Sequence, residues 1–179
     1  MLKKTVLLAV ISSSTLFAQE DKVATCSIPD EILMAIAKVE SGYGGKPYPF
    51  LIGLNGKDIK KGKKILANFK GRWLEHRSFD CLEEENCVNA GSALIEQGVY
   101  NVDFGMFQIN HYWHYKYARD IAAYFDFEES RQITCKVVEE CVSRKSYGWE
   151  GIACYHSSTP SRNKIYAESL YKIITEKKN

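Results

Sequence analysis

Apolar positions recur at helical spacing along most of the chain. Leu33, Ile36 and Ala37 fall on one face and predict a helix over about residues 29–41. Ser27 is its expected cap, with Pro29 in the first turn and Asp30 three residues on, and Gly42, Gly44 and Gly45 stop it. Residues 46–62 are broken by Pro47, Pro49, Gly53 and Gly56 and read as loop, with one small hairpin near 50–60. Ile65, Leu66, Phe69 and Trp73 predict a helix within 63–77. Further helices are expected over 88–97, ended by Gly98, and over 105–117, 128–145, 149–155 and 161–176. The pattern is that of a mainly α chain of α+β type, without internal repeat or long linker.

Residues 1–18 follow another pattern. Lys3 and Lys4 precede an apolar stretch from Thr5 to Phe17, and Ala18 is a small residue suited to cleavage. This is the form of a secretory signal peptide, which leaves one domain over 19–179. No apolar run reaches the ~18 residues of a membrane span, so none is expected after cleavage. Of the 179 residues, 45% are apolar, which excludes a wholly disordered chain. Lys and Arg number 24 against 22 Asp and Glu, a balance that excludes nucleic-acid binding through bulk charge. The cluster Lys57, Lys60, Lys61, Lys63 and Lys64 reads as a solvated loop, with contact to an anionic polymer or a partner as the other reading.

Export gives the six cysteines a meaning. Cys26, Cys81, Cys87, Cys135, Cys141 and Cys154 are an even set in an oxidising setting, so disulfides are expected, and sequence alone leaves many connectivities open. Cys81/Cys87 and Cys135/Cys141 share one spacing, which favours two local loops and a Cys26–Cys154 bond tying the ends. With no C-x-x-C pair and no histidine at finger spacing, zinc is not expected. His111 and His114, three residues apart, lack a nearby carboxylate pattern for a shared metal.

Glu40 is the informative position. It lies four residues after Ile36 and seven after Leu33, on the apolar stripe at the C-terminal end of the first helix. Burial and the negative end of the helix dipole both disfavour a carboxylate there and favour the neutral acid. A neutral acid is the starting state of general-acid catalysis. The bland alternative is a side chain that rotates out to solvent at a frayed helix end. Asp103 is expected to cap a helix beginning near Gly105. If it faced Glu40 instead, a two-carboxylate hydrolysis would be open. Ten of the 22 aromatic residues lie between Tyr100 and Phe127. Most are expected to pack the core, leaving Tyr112, Trp113 and Tyr115 as candidates for stacking on a ligand.

Three blocks in order carry a resemblance. The stretch from Ala35 to Gly42, containing Val39-Glu40-Ser41-Gly42, resembles the glutamate motif of lytic transglycosylases with the soluble-lytic-transglycosylase domain. Gly105-Met106-Phe107-Gln108-Ile109-Asn110 resembles that family's Gly-Leu-Met-Gln-Ile-Asn block. Ala153-Cys154-Tyr155-His156, with Tyr166 beyond, resembles its Ala-x-Tyr-Asn block. Tyr155-His156-Ser157-Ser158-Thr159-Pro160 is similar to a branch found with secretion and conjugation systems.

The resemblance implies a lysozyme-like fold, a disulfide-stabilised helical bundle around a sugar-binding cleft, in a monomeric periplasmic enzyme acting on peptidoglycan glycan strands without cofactor or metal. It implies Glu40 as catalytic acid and base. It implies Ser41, Phe107, Gln108, Asn110, Tyr155 and His156 as residues of the sugar groove, with the Tyr155 hydroxyl approaching the catalytic carboxyl. Phe107 stands where the family usually has Met, and His156 replaces the commoner Asn. A transenvelope secretion or conjugation apparatus is the partner implied. Two other readings stay open: a hydrolytic lysozyme-type muramidase, and a non-catalytic peptidoglycan-binding assembly factor.

Overall fold

Helix α1 (Asp30–Ser41) buries Leu33, Ile36 and Ala37 completely, as their spacing requires. Its start corrects the expected cap. Pro29 takes the cap position without a side-chain hydrogen bond. Ser27 instead donates its backbone N–H and its hydroxyl to Glu139 Oε1, at 2.8 and 2.6 Å, and so ties the chain to a later helix. These coordinates are a computed structural model that describes residues 26–176, and the expected leader over 1–18 lies outside them. Among the described residues no helix is long and apolar enough to cross a membrane.

After α1 come β1 (Leu51–Leu54), α2 (Ile59–Leu66), β2 (Arg72–Trp73), β3 (Ser78–Asp80) and α3 (Glu84–Glu96). Then follow β4 (Val102–Phe104), β5 (Ile109–Asn110), α4 (His111–His114), α5 (Phe127–Lys145), α6 (Trp149–Ala153) and α7 (Pro160–Glu176). The strands form one antiparallel sheet in the order β2-β3-β1-β4-β5. Every residue of β1 is buried, and Ile52 faces Phe79 on one side and Phe104 on the other. A strand buried on both faces needs partners on both edges, and this sheet replaces the small hairpin expected near 50–60. The chain is thus mainly helical with a small antiparallel sheet.

Two expected helices are corrected. The one placed within 63–77 begins earlier, at Ile59, and stops at Leu66. Its continuation is the β2–β3 hairpin, in which Trp73 pairs with Phe79 across the strands, their rings 5.1 Å apart. A cross-strand aromatic pair has overridden the helical spacing. The lysines Lys60, Lys61 and Lys64 lie on the exposed side of α2, while Gly62 packs under Leu54. The helix expected over 105–117 opens instead as a turn followed by β5, and only residues 111–114 are α-helical.

Helices α1, α5, α6 and α7 pack on one another, and α3 packs against α2 and β1. Three disulfides join them. Cys81–Cys87 is the expected local loop. The other two bonds are Cys26–Cys135 and Cys141–Cys154, which corrects both remaining pairs. Cys135 and Cys141 sit six residues apart in α5, a rise of about 9 Å. That exceeds the roughly 7 Å a disulfide can span, so the two must bond elsewhere.

Candidate active site

A groove lies where the helices meet the sheet. Its central cavity, about 430 Å³, takes Glu40 from α1, Asp103 and Asn110 from the sheet, and Tyr155 and His156 from the segment after α6. A second cavity of about 290 Å³ shares Glu40, His156 and Arg162 with it and adds Tyr166. A third, about 540 Å³, shares Trp113 with the central one. Glu40 thus walls the first two cavities, and Trp113 the first and third.

The Glu40 side chain is 15% exposed, and its Oε1 is buried without a hydrogen-bond partner. The bland alternative of a solvent-facing glutamate does not hold. His156 Nδ1 stands 3.5 Å from that oxygen, an ion-pair contact without hydrogen-bond alignment. The Glu40 carboxylate raises His156 above the ordinary histidine range, outweighing its partial burial. The imidazole is held flat against the Tyr166 ring, 4.7 Å between centroids and 7° between planes. Tyr166 Oη is also buried without a partner and lines the second cavity with Glu40. Burial, then the neighbouring Glu40, hold its ionisation well above that of an ordinary phenol.

The turn between β4 and β5 sets the groove's floor. Gly105 has φ +71°, and a Cβ there would stand 2.0 Å from the Tyr124 carbonyl oxygen. Gln108 has φ +49°, in the left-handed region that costs a non-glycine residue of order 1 kcal/mol or more. Its amide donates to the carbonyl of Gly105 at 2.8 Å. Its Oε1 lies 2.6 Å from where a Cβ on Gly53 would stand, so the glycine in β1 leaves room for that side chain. The turn is pinned from three sides. Gly105 N–H donates to the Leu51 carbonyl at 2.9 Å, Ser41 Oγ to that of Met106 at 2.7 Å, and Tyr155 Oη to that of Phe107 at 2.7 Å. The conformation that ends the expected helix is therefore the one that turns Gln108 into the groove.

The structure gathers Glu40, Gln108, Asn110, Tyr155 and His156 around one cavity. Ser41 and Phe107 stand apart: both are fully buried behind the groove, Ser41 holding the turn and Phe107 filling the core. The hydroxyl of Tyr155 is used on the turn rather than on Glu40. Tyr166, not Tyr155, brings a free phenol to the carboxyl's side. The two histidines part: His111 Nδ1 lies 3.0 Å from Tyr124 Oη, while His114 stacks on Tyr117.

Asp103 corrects its expected role. It lies in β4, opposite Asn110, and lines the groove instead of capping a helix. Burial raises its ionisation above the usual carboxylate range, opposed by hydrogen bonds from Asn55 and Asn110 and by Arg77, while the Glu40 charge adds to the rise. Asn110 Nδ2 donates to its Oδ1 at 2.7 Å, and Arg77 Nη1 stands 3.5 Å from its Oδ2. Asn55, Arg77 and Arg162 also line the groove, and the two arginines were not singled out from sequence. Nothing in the local pattern around Arg77 or Arg162 marks either arginine as a site residue.

No family model, curated protein or solved structure matches this chain.

Proposed function

We propose that the chain is a periplasmic peptidoglycan lytic transglycosylase of lysozyme-like fold, in which Glu40 serves first as acid and then as base. The observation that carries this reading is the Glu40 carboxyl itself, withdrawn from water in the wall shared by two cavities. The amides of Gln108, Asn110 and Asn55 line that groove, a donor and acceptor set suited to sugar hydroxyl and N-acetyl groups. The disulfides fit a chain that works outside the reducing cytoplasm.

The chemistry runs as two proton transfers. Glu40 gives its proton to the glycosidic oxygen between N-acetylmuramic acid and N-acetylglucosamine, and the bond from that oxygen to the muramyl C1 breaks. The carboxylate then takes the proton of the muramyl C6 hydroxyl as that oxygen bonds to C1. The product ends in a 1,6-anhydro ring, no water is consumed, and Glu40 is again protonated. His156 stands where a positive charge steadies the carboxylate between the two transfers. Its stacking on Tyr166 keeps it there.

Asp103 favours a second reading, a hydrolytic muramidase, because it places another carboxyl in the same groove. Its oxygens are engaged by Asn110 and Arg77, which speaks for a structural role. Mass spectrometry of digested peptidoglycan separates the readings. Anhydro-muropeptides are expected. Reducing ends would make the chain a hydrolase, and no products would make it a binding factor. Glu40→Gln is expected to fold normally and to lose at least about 100-fold in turnover. Retention of most activity would remove Glu40 from the mechanism.

A further inference from the structure

The lysine cluster has no part in the proton transfers, and the fold does not neutralise it. Residues 57–77 carry eight Lys and Arg against two acids, Asp58 and Glu75, a net +6 in a chain whose total is +2. The rest of the chain is therefore net negative. Among the described residues, Lys57, Lys60, Lys61, Lys63 and Lys64 make no ion pair with a carboxylate. Like charges gathered this closely repel one another, a cost that a bound anion removes. The face is also held in place. Gly62, Ile65 and Leu66 are buried, and a Cβ on Gly62 would stand 2.5 Å from Leu54 Cδ2, so α2 lies hard against β1 with Lys60, Lys61 and Lys64 exposed. Lys63 Nζ stands 5.0 Å from the centre of the Trp73 ring and 3.1 Å from His76 Nδ1, which joins α2 to the β2–β3 hairpin.

We infer that this lysine face docks the carboxylates of the peptide stems on a peptidoglycan strand seated in the groove. The inference rests on the transglycosylase reading and adds the part of the substrate that Glu40 does not touch. The face and the groove share two elements. Asn55 walls the central cavity and leads directly into Lys57 and α2. Arg77 walls the same cavity from the end of the hairpin loop, and its guanidinium donates to the Leu54 carbonyl at 3.2 Å and to the Asn55 side chain. Charge names the occupant. The glycan rings are neutral, but the peptide borne on each muramyl lactyl group carries free carboxylates. The rise of α2 is about 12 Å, the reach of about four extended residues. Lysine suits such a ligand, because a point charge on a flexible stem follows carboxylates whose positions vary from stem to stem, whereas one fixed carboxylate suits the bidentate fork of arginine. A molecule otherwise net negative is thereby turned basic side first toward an anionic wall.

The test uses the secreted chain in a Glu40→Gln background, so that the strands stay intact while binding is measured. Lys57→Gln, Lys60→Gln and Lys64→Gln together are expected to weaken co-sedimentation with insoluble peptidoglycan about tenfold at about 50 mM salt and to flatten its salt dependence, whereas arginine at the same three positions retains both. All three lysines are exposed, and equal melting temperatures verify the fold. Converting the wall's carboxylates to amides is expected to lower the parent to the level of the glutamine variant and to leave that variant unmoved. Equal binding of the parent and the glutamine variant to the native wall overturns the docking surface, as does parent binding that ignores amidation or a loss in the arginine variant equal to that in the glutamine one. Lysine-dependent binding to vesicles of one part phosphatidylglycerol to three parts phosphatidylcholine, with no response to amidation of the wall, overturns it in favour of a membrane contact. The product digest reads the lytic mechanism separately. Binding that needs both lysines and carboxylates, without anhydro products, keeps the docking surface and removes the mechanism. Anhydro products with lysine-independent binding do the reverse.

Discussion

The His156–Glu40 contact is where single-residue chemistry makes the sharpest demand. The Glu40 carboxylate raises His156 above its ordinary value, so the folded state binds that proton more tightly than the unfolded chain does. The stability this adds is full below about pH 6.5, the unfolded histidine value, and is lost as pH rises through the raised one. Thermal melts between about pH 5 and pH 8 are therefore expected to fall more steeply with pH in the parent than in His156→Asn. Equal slopes would show that the contact carries no linkage. The position of Glu40 was legible beforehand, because a carboxyl in register with Leu33 and Ile36 must go where they go. The use of the Tyr155 hydroxyl was not, since the Phe107 carbonyl it meets lies 48 residues away in sequence. Nothing in the local pattern around Tyr166 says that its ring supports His156.

Elements were legible where one periodicity acted alone. The apolar stripe and terminal glycines fixed α1, and the long helix α5 begins within a residue of its expected start. They were lost where a tertiary partner overrode local spacing. Trp73 sits at helical distance from Phe69 yet pairs with Phe79, and Gly105 and Gln108 take positive φ values that no helix contains. The turn they form is testable through its glycine. Gly105→Ala adds a methyl both to a left-handed residue and against the Tyr124 carbonyl, and is expected to cost about 3 kcal/mol or more. Gly98→Ala is its control. It shares the positive φ at +76°, but its nearest neighbour is the Lys61 Nζ at 3.8 Å, so it bears only the left-handed penalty of about 1–2 kcal/mol. Denaturant melts of the two compare the clash with the backbone cost. Equal losses would mean that the β4–β5 turn shifts freely away from Tyr124.

At the scale of the whole molecule, the connectivity of the cysteines decides what holds the groove together. The helix expected over 128–145 already contained both Cys135 and Cys141, and its rise excluded the bond that their spacing suggested. The sheet order was beyond reach, because the short apolar run of β1 does not say which later strands will flank it. The bonds as found divide the work. Cys26–Cys135 ties the start of the described chain to α5, and Cys141–Cys154 ties the end of α5 to the residue just before Tyr155 and His156. The second bond therefore anchors the segment that pins the Gln108 turn and faces Glu40. Replacing Cys141 and Cys154 with serine is expected to lower stability by about 2–4 kcal/mol and to reduce anhydro-muropeptide release more than that loss explains. The comparison is made well below the melting temperature, where both proteins are folded. Replacing Cys81 and Cys87, whose bond closes a six-residue separation at the far side of β3, should lower stability with little change in release per folded molecule. If the two double variants lose release equally, the Cys141–Cys154 bond stabilises the fold without aligning the site.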